Sequence, residues 1–221
     1  MFIVGCTLDN KIFWRDKVRY IINKSLIKDF LSKNILFCKK HKINFDNFYS
    51  RTKHKSVNSI EIDTLLDQYL ETNNVNLKSL SYCLNDRKML SKDQLFTYGS
   101  HSYNHYVMSS LTEDQQYNEI LKNKHLLDNL NINQSNIFSI PFGGDETFNE
   151  TTLKLLLNNN YDAYLYSRNR VNTMFSAEYN KDKYLPISYA DRFMPKKNFS
   201  QFRKQLLKIN FYSVLRHINL S

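Results

Sequence analysis

The sequence predicts an α/β protein built on a parallel sheet, and three observations carry that prediction. First, short apolar runs at Leu95–Tyr98, Asn136–Ile140 and Tyr161–Tyr166 alternate with stretches of helical periodicity joined by short loops. Second, two of those helical stretches open on capping-box signals, Thr112 with Gln115 and Thr147 with Glu150. Third, the chain starts with six apolar residues, Met1 to Cys6, and turns polar at Asp9-Asn10-Lys11, as a buried strand does.

In chain order, the opening strand leads into apolar positions at Trp14, Val18, Ile21, Ile22, Leu26, Phe30 and Leu31, a helical spacing. The basic stretch from Lys39 to Lys55 predicts an exposed loop. A helix is expected from about Ser59, with Ile60, Leu65, Leu66, Tyr69 and Leu70 as its apolar residues, and a weaker one over about Leu77–Asp93. The strand at Leu95 ends at Gly99, a helix runs from Thr112 to about Leu130, and the next strand stops at Pro141-Phe142-Gly143-Gly144. A final amphipathic helix is expected near Phe199–Ile209.

At 221 residues, with 42% hydrophobic and 14% aromatic residues, a disordered chain is excluded. Only 4 Gly and 3 Pro exclude collagen-like or linker-rich architecture. Cys6, Cys38 and Cys83 have no metal-site or paired spacing and are expected as reduced thiols. Lys and Arg exceed Asp and Glu by 31 − 21 = 10. Heavy use of Asn, Lys and Ile points to AT-rich coding as one source of that charge. A nucleic-acid reading through Lys39, Lys40, Lys53, Lys55, Lys196, Lys197, Arg203 and Lys204 has no recognition motif behind it, so nucleic acid is not an expected partner. There is no signal-peptide pattern and no apolar run long enough to span a membrane, which leaves the cytoplasm as the default expectation.

In α/β folds chemistry sits where strands end. Two such ends are unusual. In Gly99-Ser100-His101-Ser102-Tyr103-Asn104-His105, two histidines four apart reach one centre if a helical turn follows the strand. They are either ligands of a zinc-like ion or histidines bonded to neighbouring backbone. Pro141-Phe142-Gly143 either presents backbone N–H groups to an oxyanion or is a plain turn.

Together these segments, with Asn149-Glu150-Thr151-Thr152-Leu153 and Asn160-Tyr161-Asp162-Ala163, resemble the polysaccharide deacetylase family, the NodB-homology fold of carbohydrate esterase family four. Phe2-Ile3-Val4 resembles that fold's second strand, and Asp9 to Asp16 resembles members with a helical insertion there. The resemblance implies an irregular (β/α) barrel lacking its first strand over residues 1–12 and 94–187. It also implies a helical insertion over 13–93 and a C-terminal helical extension over 188–221.

The implied chemistry is metal-dependent hydrolysis of acetyl groups on a cell-envelope polysaccharide. By resemblance, a divalent metal, Zn for preference, is held by His101 and His105. Ser100 and Ser102 shape the loop, the Phe142 backbone N–H donates to the oxyanion, and Pro141 and Gly143 line the groove. The family's Asp-Asp segment, which supplies a third ligand and the general base, has no match, so this chain is expected to hold metal weakly and to be a weak or inactive enzyme. A complementing N-terminal fragment is then an expected partner beside the acetylated polysaccharide, and Asp145 is a replacement carboxylate to consider. Ser139 stands where many members carry Arg, and the family's later Trp motif is unmatched. Leu215-Arg216-His217 is a poor match to the late histidine motif. The alternative is a catalytically dead carbohydrate-binding or assembly module.

Overall fold

The computed structural model describes residues 1–76, 86–168 and 185–192, together with Asn198, 200–204 and Leu207. Strand β1 (Phe2–Ile3) is followed by a single-turn helix α1 (Gly5–Leu8) and then by five helices. These are α2 (Trp14–Asn23), α3 (Ile27–Lys33), α4 (Ile35–Lys40), α5 (Phe48–Arg51) and α6 (Ser59–Thr72). The α/β part continues with β2 (Tyr98–Ser100), α7 (Glu113–Asp128), β3 (Gln134–Ser139), α8 (Glu150–Asn158), β4 (Ala163–Tyr166) and β5 (Ser188–Asp191).

The five strands form one parallel sheet in the sequential order β1-β2-β3-β4-β5. Register runs Phe2 on Gly99, Ile137 on Ala163 and Tyr166 on Asp191. Between β2 and β3 the pairing is irregular, because β3 advances from Gln134 to Phe138 while β2 advances only from Tyr98 to Ser100. Gly99 lies between two neighbours, and a Cβ there would come within 2.5 Å of the Phe2 ring and 2.8 Å of the Ile137 carbonyl. Because every strand is parallel, all C-terminal ends share one edge, and the loops after β2, β3, β4 and β5 gather there.

Closure into a barrel is not shown: among the described residues β1 and β5 are the two edges of the sheet. The sheet also continues to Asp191, past the boundary expected at 187, so residues 188–191 are strand rather than helical extension. The stretch from Lys39 to Lys55 is not an exposed loop. It carries the end of α4 and all of α5, with Ile43, Phe48 and Thr52 buried, since three well-spaced anchors suffice to pin a basic segment. The strand expected at Leu95–Tyr98 begins only at Tyr98, and Leu95 and Phe96 are exposed. The helix expected at 77–93 lies largely outside the described residues, which show one 3₁₀ turn at Arg87–Met89. Most of the expected helix at 199–209, Cys83 and His217 also lie outside them. No helix among the described residues is long and apolar enough to cross a membrane.

Three buried clusters hold the fold. One belongs to the helices and gathers Trp14, Val18, Phe30, Phe48, Ile62 and Leu66 with Tyr106 and Leu111 from the segment after β2. A second joins Met108, Ile120, Phe138, Leu156 and Tyr164 between the sheet and α7–α8. The third packs Ile3, Leu8, Tyr98, Tyr103 and Leu127. Since Tyr106 and Leu111 belong to the helical cluster and Phe142 packs on it, α2–α6 cover the C-terminal edge of the sheet rather than its side.

Candidate active site at the C-terminal edge of the sheet

His101 and His105 converge. Their Nε2 atoms are 3.1 Å apart and their rings meet edge to face with centroids 4.5 Å apart. Two nitrogens bound to one tetrahedral Zn at about 2.0–2.1 Å lie roughly 3.3 Å from each other, so the pair is spaced as two ligands of one ion would be. The expected helical turn does not produce this convergence. Ser102 and His105 instead take left-handed backbone, φ 59° and 60°, and fold the loop back on itself. The Ser102 hydroxyl closes it by accepting from the His105 N–H at 2.9 Å.

The loop is held from below by α7. Buried Glu119 accepts from the Asn104 N–H at 2.7 Å and from the Asn104 side-chain amide at 2.6 Å, so it grips the residue between the histidines. Burial, partly offset by these donors, pushes the Glu119 carboxyl up to about 7. Asn123, one turn on, donates to the Ile3 carbonyl and to the Ser100 hydroxyl. The helical block holds the loop from above, where the Trp14 indole donates to the His105 carbonyl at 3.0 Å.

The imidazole electronics follow from these partners. His101 Nδ1 lies 2.6 Å from the Ser139 carbonyl, which can only accept, so Nδ1 carries the proton and Nε2 presents a lone pair to the shared point. Burial, with the Arg192 charge adding to it, moves His101 down to about 4 despite that bond. Burial lowers His105 well below its usual value, helped by His101, Arg192 and Arg15. Both rings are therefore neutral near pH 7, the state a metal requires. Among the described residues the buried His105 Nδ1 has no hydrogen-bond partner.

The wall beside them is the turn after β3. Pro141 ends the ladder, and Phe142 and Gly143 follow with φ 61° and 59°. A Cβ on Gly143 would collide with the Ser167 backbone, so this turn requires glycine there. The Phe142 ring packs edge to face on His105 with centroids 4.7 Å apart, and Phe13 does the same from another side at 5.2 Å. No acceptor among the described residues takes the Phe142 N–H. Asp145, considered as a replacement carboxylate, is exposed and sits 3.6 Å from Arg168, so it faces a cation and not the histidines. Among the described residues no third His, Cys, Asp or Glu joins the pair.

Residues 62–164, just under half of the chain, match the family model described as polysaccharide deacetylase. Over that stretch the chain is similar to a polysaccharide deacetylase family domain. The match starts inside α6, within the stretch expected as insertion, and leaves out residues 1–12. It contains His101, His105 and the Pro141–Gly143 turn. No curated protein and no solved structure gives a significant match. Glu119, Asn123, Phe13 and Trp14, which brace or wall the histidine pair, were not legible as site residues. A glutamate on an amphipathic helix reads as solvated face, and the role of Trp14 depends on a contact 91 residues away.

Proposed function

We propose that this chain acts as a metal-dependent carbohydrate deacetylase on an acetylated cell-envelope polysaccharide, with the strands arranged as an irregular barrel. The observation that carries the reading is the 3.1 Å approach of two neutral imidazoles at the C-terminal edge of a parallel sheet. The sequential strand order supports the barrel, since doubly wound sheets reverse direction at a switch point.

His101 and His105 would hold a divalent ion, Zn in our reading, through Nε2. When bound, such an ion supplies Lewis acidity for the acetyl carbonyl and lowers the pKa of water towards about 7. The Ser139 carbonyl fixes the His101 tautomer that this requires. The Phe142 N–H would donate to the carbonyl oxygen as it gains charge. Phe13 and Phe142 keep water from two sides of His105. Pro141 and Gly143 shape the groove floor beneath the sugar.

That no third ligand joins the pair among the described residues favours a second reading, carbohydrate binding without turnover. One experiment separates them. Zn titration of the full chain by calorimetry is paired with acetate release from an N-acetylated oligosaccharide, with and without chelator. The deacetylase reading expects Zn binding that falls at least tenfold in His101→Ala and His105→Ala, and chelator-sensitive acetate release. Oligosaccharide binding without acetate release supports the second reading. Zn binding unchanged in both variants overturns the metal site.

A further inference from the structure

We propose that the glycan taken by this site is acidic: an N-acetylated polysaccharide bearing carboxylate or phosphate groups, held by Lys53 and Arg192 beside the histidine pair. The inference rests on the deacetylase reading for its sugar but on different residues for its charge.

Of the two fully buried cations among the described residues, Arg15 and Lys17, Lys17 pairs with carboxylates, and so does half-buried Arg168. Lys17 lies 2.7 Å from Asp63 and 2.6 Å from Asp67, and Arg168 lies 2.6 Å from Asp191. Around the histidines the pattern reverses. Arg15 is 1% exposed and stacks over the Trp14 and Tyr49 rings, yet its hydrogen bonds go to the Thr52 hydroxyl and the Tyr49 carbonyl, and among the described residues its Nε has no hydrogen-bond partner. Among the described residues half-buried Arg192 reaches the Tyr166 carbonyl, at 3.4 Å, and no carboxylate. Half-buried Lys53 stands over two neutral rings, Tyr49 at 4.9 Å and Phe142 at 5.7 Å. Among the described residues none of the three pairs with a carboxylate.

All three charges bear on one place. Lys53 stands over the Phe142 ring that packs on His105, Arg15 over the Trp14 ring that bonds the His105 carbonyl, and Arg192 follows the end of β5 at the same sheet edge. Cations partly removed from water and left without anions are costly, and neutral hydroxyls compensate them less well than charged oxygens do. An acidic substituent on the sugar supplies those oxygens. Arg15 is enclosed by its own helices, so it contributes field, whereas half-buried Lys53 and Arg192 contribute contacts. A recessed site walled by Phe13 and Phe142 suits a single glycan chain better than a nucleic-acid backbone, which would ask for an exposed basic stripe.

The test uses the full chain and three N-acetylated oligosaccharides of similar length, one neutral, one bearing uronate and one bearing phosphate, with a single-stranded oligonucleotide as a fourth ligand. Calorimetry at about 50 mM and about 300 mM salt reads the affinities. The expected result is roughly tenfold tighter binding of an acidic oligosaccharide over the neutral one at low salt, narrowing at high salt. The uronate and phosphate arms identify which acidic group is preferred. Lys53→Met and Arg192→Gln should each weaken the acidic ligand about three- to tenfold and leave the neutral one within twofold, with Arg192→Lys restoring part of the loss. Thermal melts confirm that each variant folds.

Equal affinity for neutral and acidic oligosaccharides overturns the proposal, as does an acidic preference that survives both variants or tighter binding of the oligonucleotide. Acetate release from the neutral oligosaccharide with no acidic preference sinks this inference and leaves the deacetylase reading. An acidic preference lost in the variants, with no acetate release from any ligand, does the reverse.

Discussion

Glu119 and the histidine pair pull the pH dependence of stability in opposite directions. The Glu119 carboxyl is raised by burial to about 7, above the ordinary value near 4.3, so the folded state holds that proton more tightly than the unfolded chain. Its contribution is complete below about pH 4.3 and is lost as pH rises through about 7. His101 moves the other way, down to about 4, and its contribution is present above about pH 6.5 and lost as pH falls towards 4. Between about pH 4.5 and 6.5 the two slopes oppose each other. Glu119→Gln removes the descending one, so denaturant unfolding with chelator present should show stability rising more steeply with pH in the variant than in the parent. At pH 7 the variant should lose about 1–3 kcal/mol, because the amide NH2 that replaces one carboxylate oxygen is a donor facing an Asn104 donor. Zn affinity should fall by roughly 10–100-fold as the loop loosens. An unchanged slope in the variant would show that Glu119 does not titrate in this range.

At the scale of elements, the two long helices of the α/β part differ in how far their starts could be read. Thr112 and Gln115 form the capping box that the sequence announces, with the hydroxyl accepting from the Gln115 N–H and the Gln115 side chain from the Thr112 N–H. The second box was placed at Thr147 and Glu150, but the structure puts it at Asn149 and Thr152. Thr147 is already engaged, accepting from the Gly144 N–H and donating to the Gly144 carbonyl, so it closes the turn after β3 instead of opening a helix. Local pattern names the residues able to cap, and a competing turn decides which one does. Similarly, the histidine spacing was legible while the left-handed loop that brings the rings together was not. The Thr152 hydroxyl donates to the side-chain carbonyl of buried Gln116 on α7, and the Gln116 amide approaches the Asn149 side-chain oxygen at 3.5 Å. Asn149→Ala is therefore expected to cost about 2 kcal/mol and Thr112→Ala nearer 1 kcal/mol in urea unfolding. Equal losses would mean that the link to Gln116 adds nothing.

For the whole molecule, the decisive feature is that the helices of residues 14–72 sit on the sheet edge that carries the histidines. Composition gave no hint of this, because each of the joining bonds is long-range: Trp14 to His105, Tyr106 to Asp63, Ser59 to Ser110 and Asn58 to Gln115. The consequence is that stability of the helical block and geometry of the histidine pair are coupled through Trp14. Trp14→Phe keeps an aromatic ring in the helical core but removes the donor to the His105 carbonyl, leaving that acceptor unpaired. A stability loss of about 1–2 kcal/mol is expected from the lost bond and the smaller ring. Ile62→Val is the control, since Ile62 is buried in the same core but its side chain makes no hydrogen bond to the histidine loop, and the change should cost about 0.5–1.5 kcal/mol. If the helices serve only to fold, both variants should bind Zn as the parent does. If they position the site, Trp14→Phe should weaken Zn binding several-fold while Ile62→Val leaves it unchanged, at matched stability in the same calorimetric titration. A metal effect of equal size in both variants would assign the coupling to general loosening of the helical core rather than to the Trp14 bond.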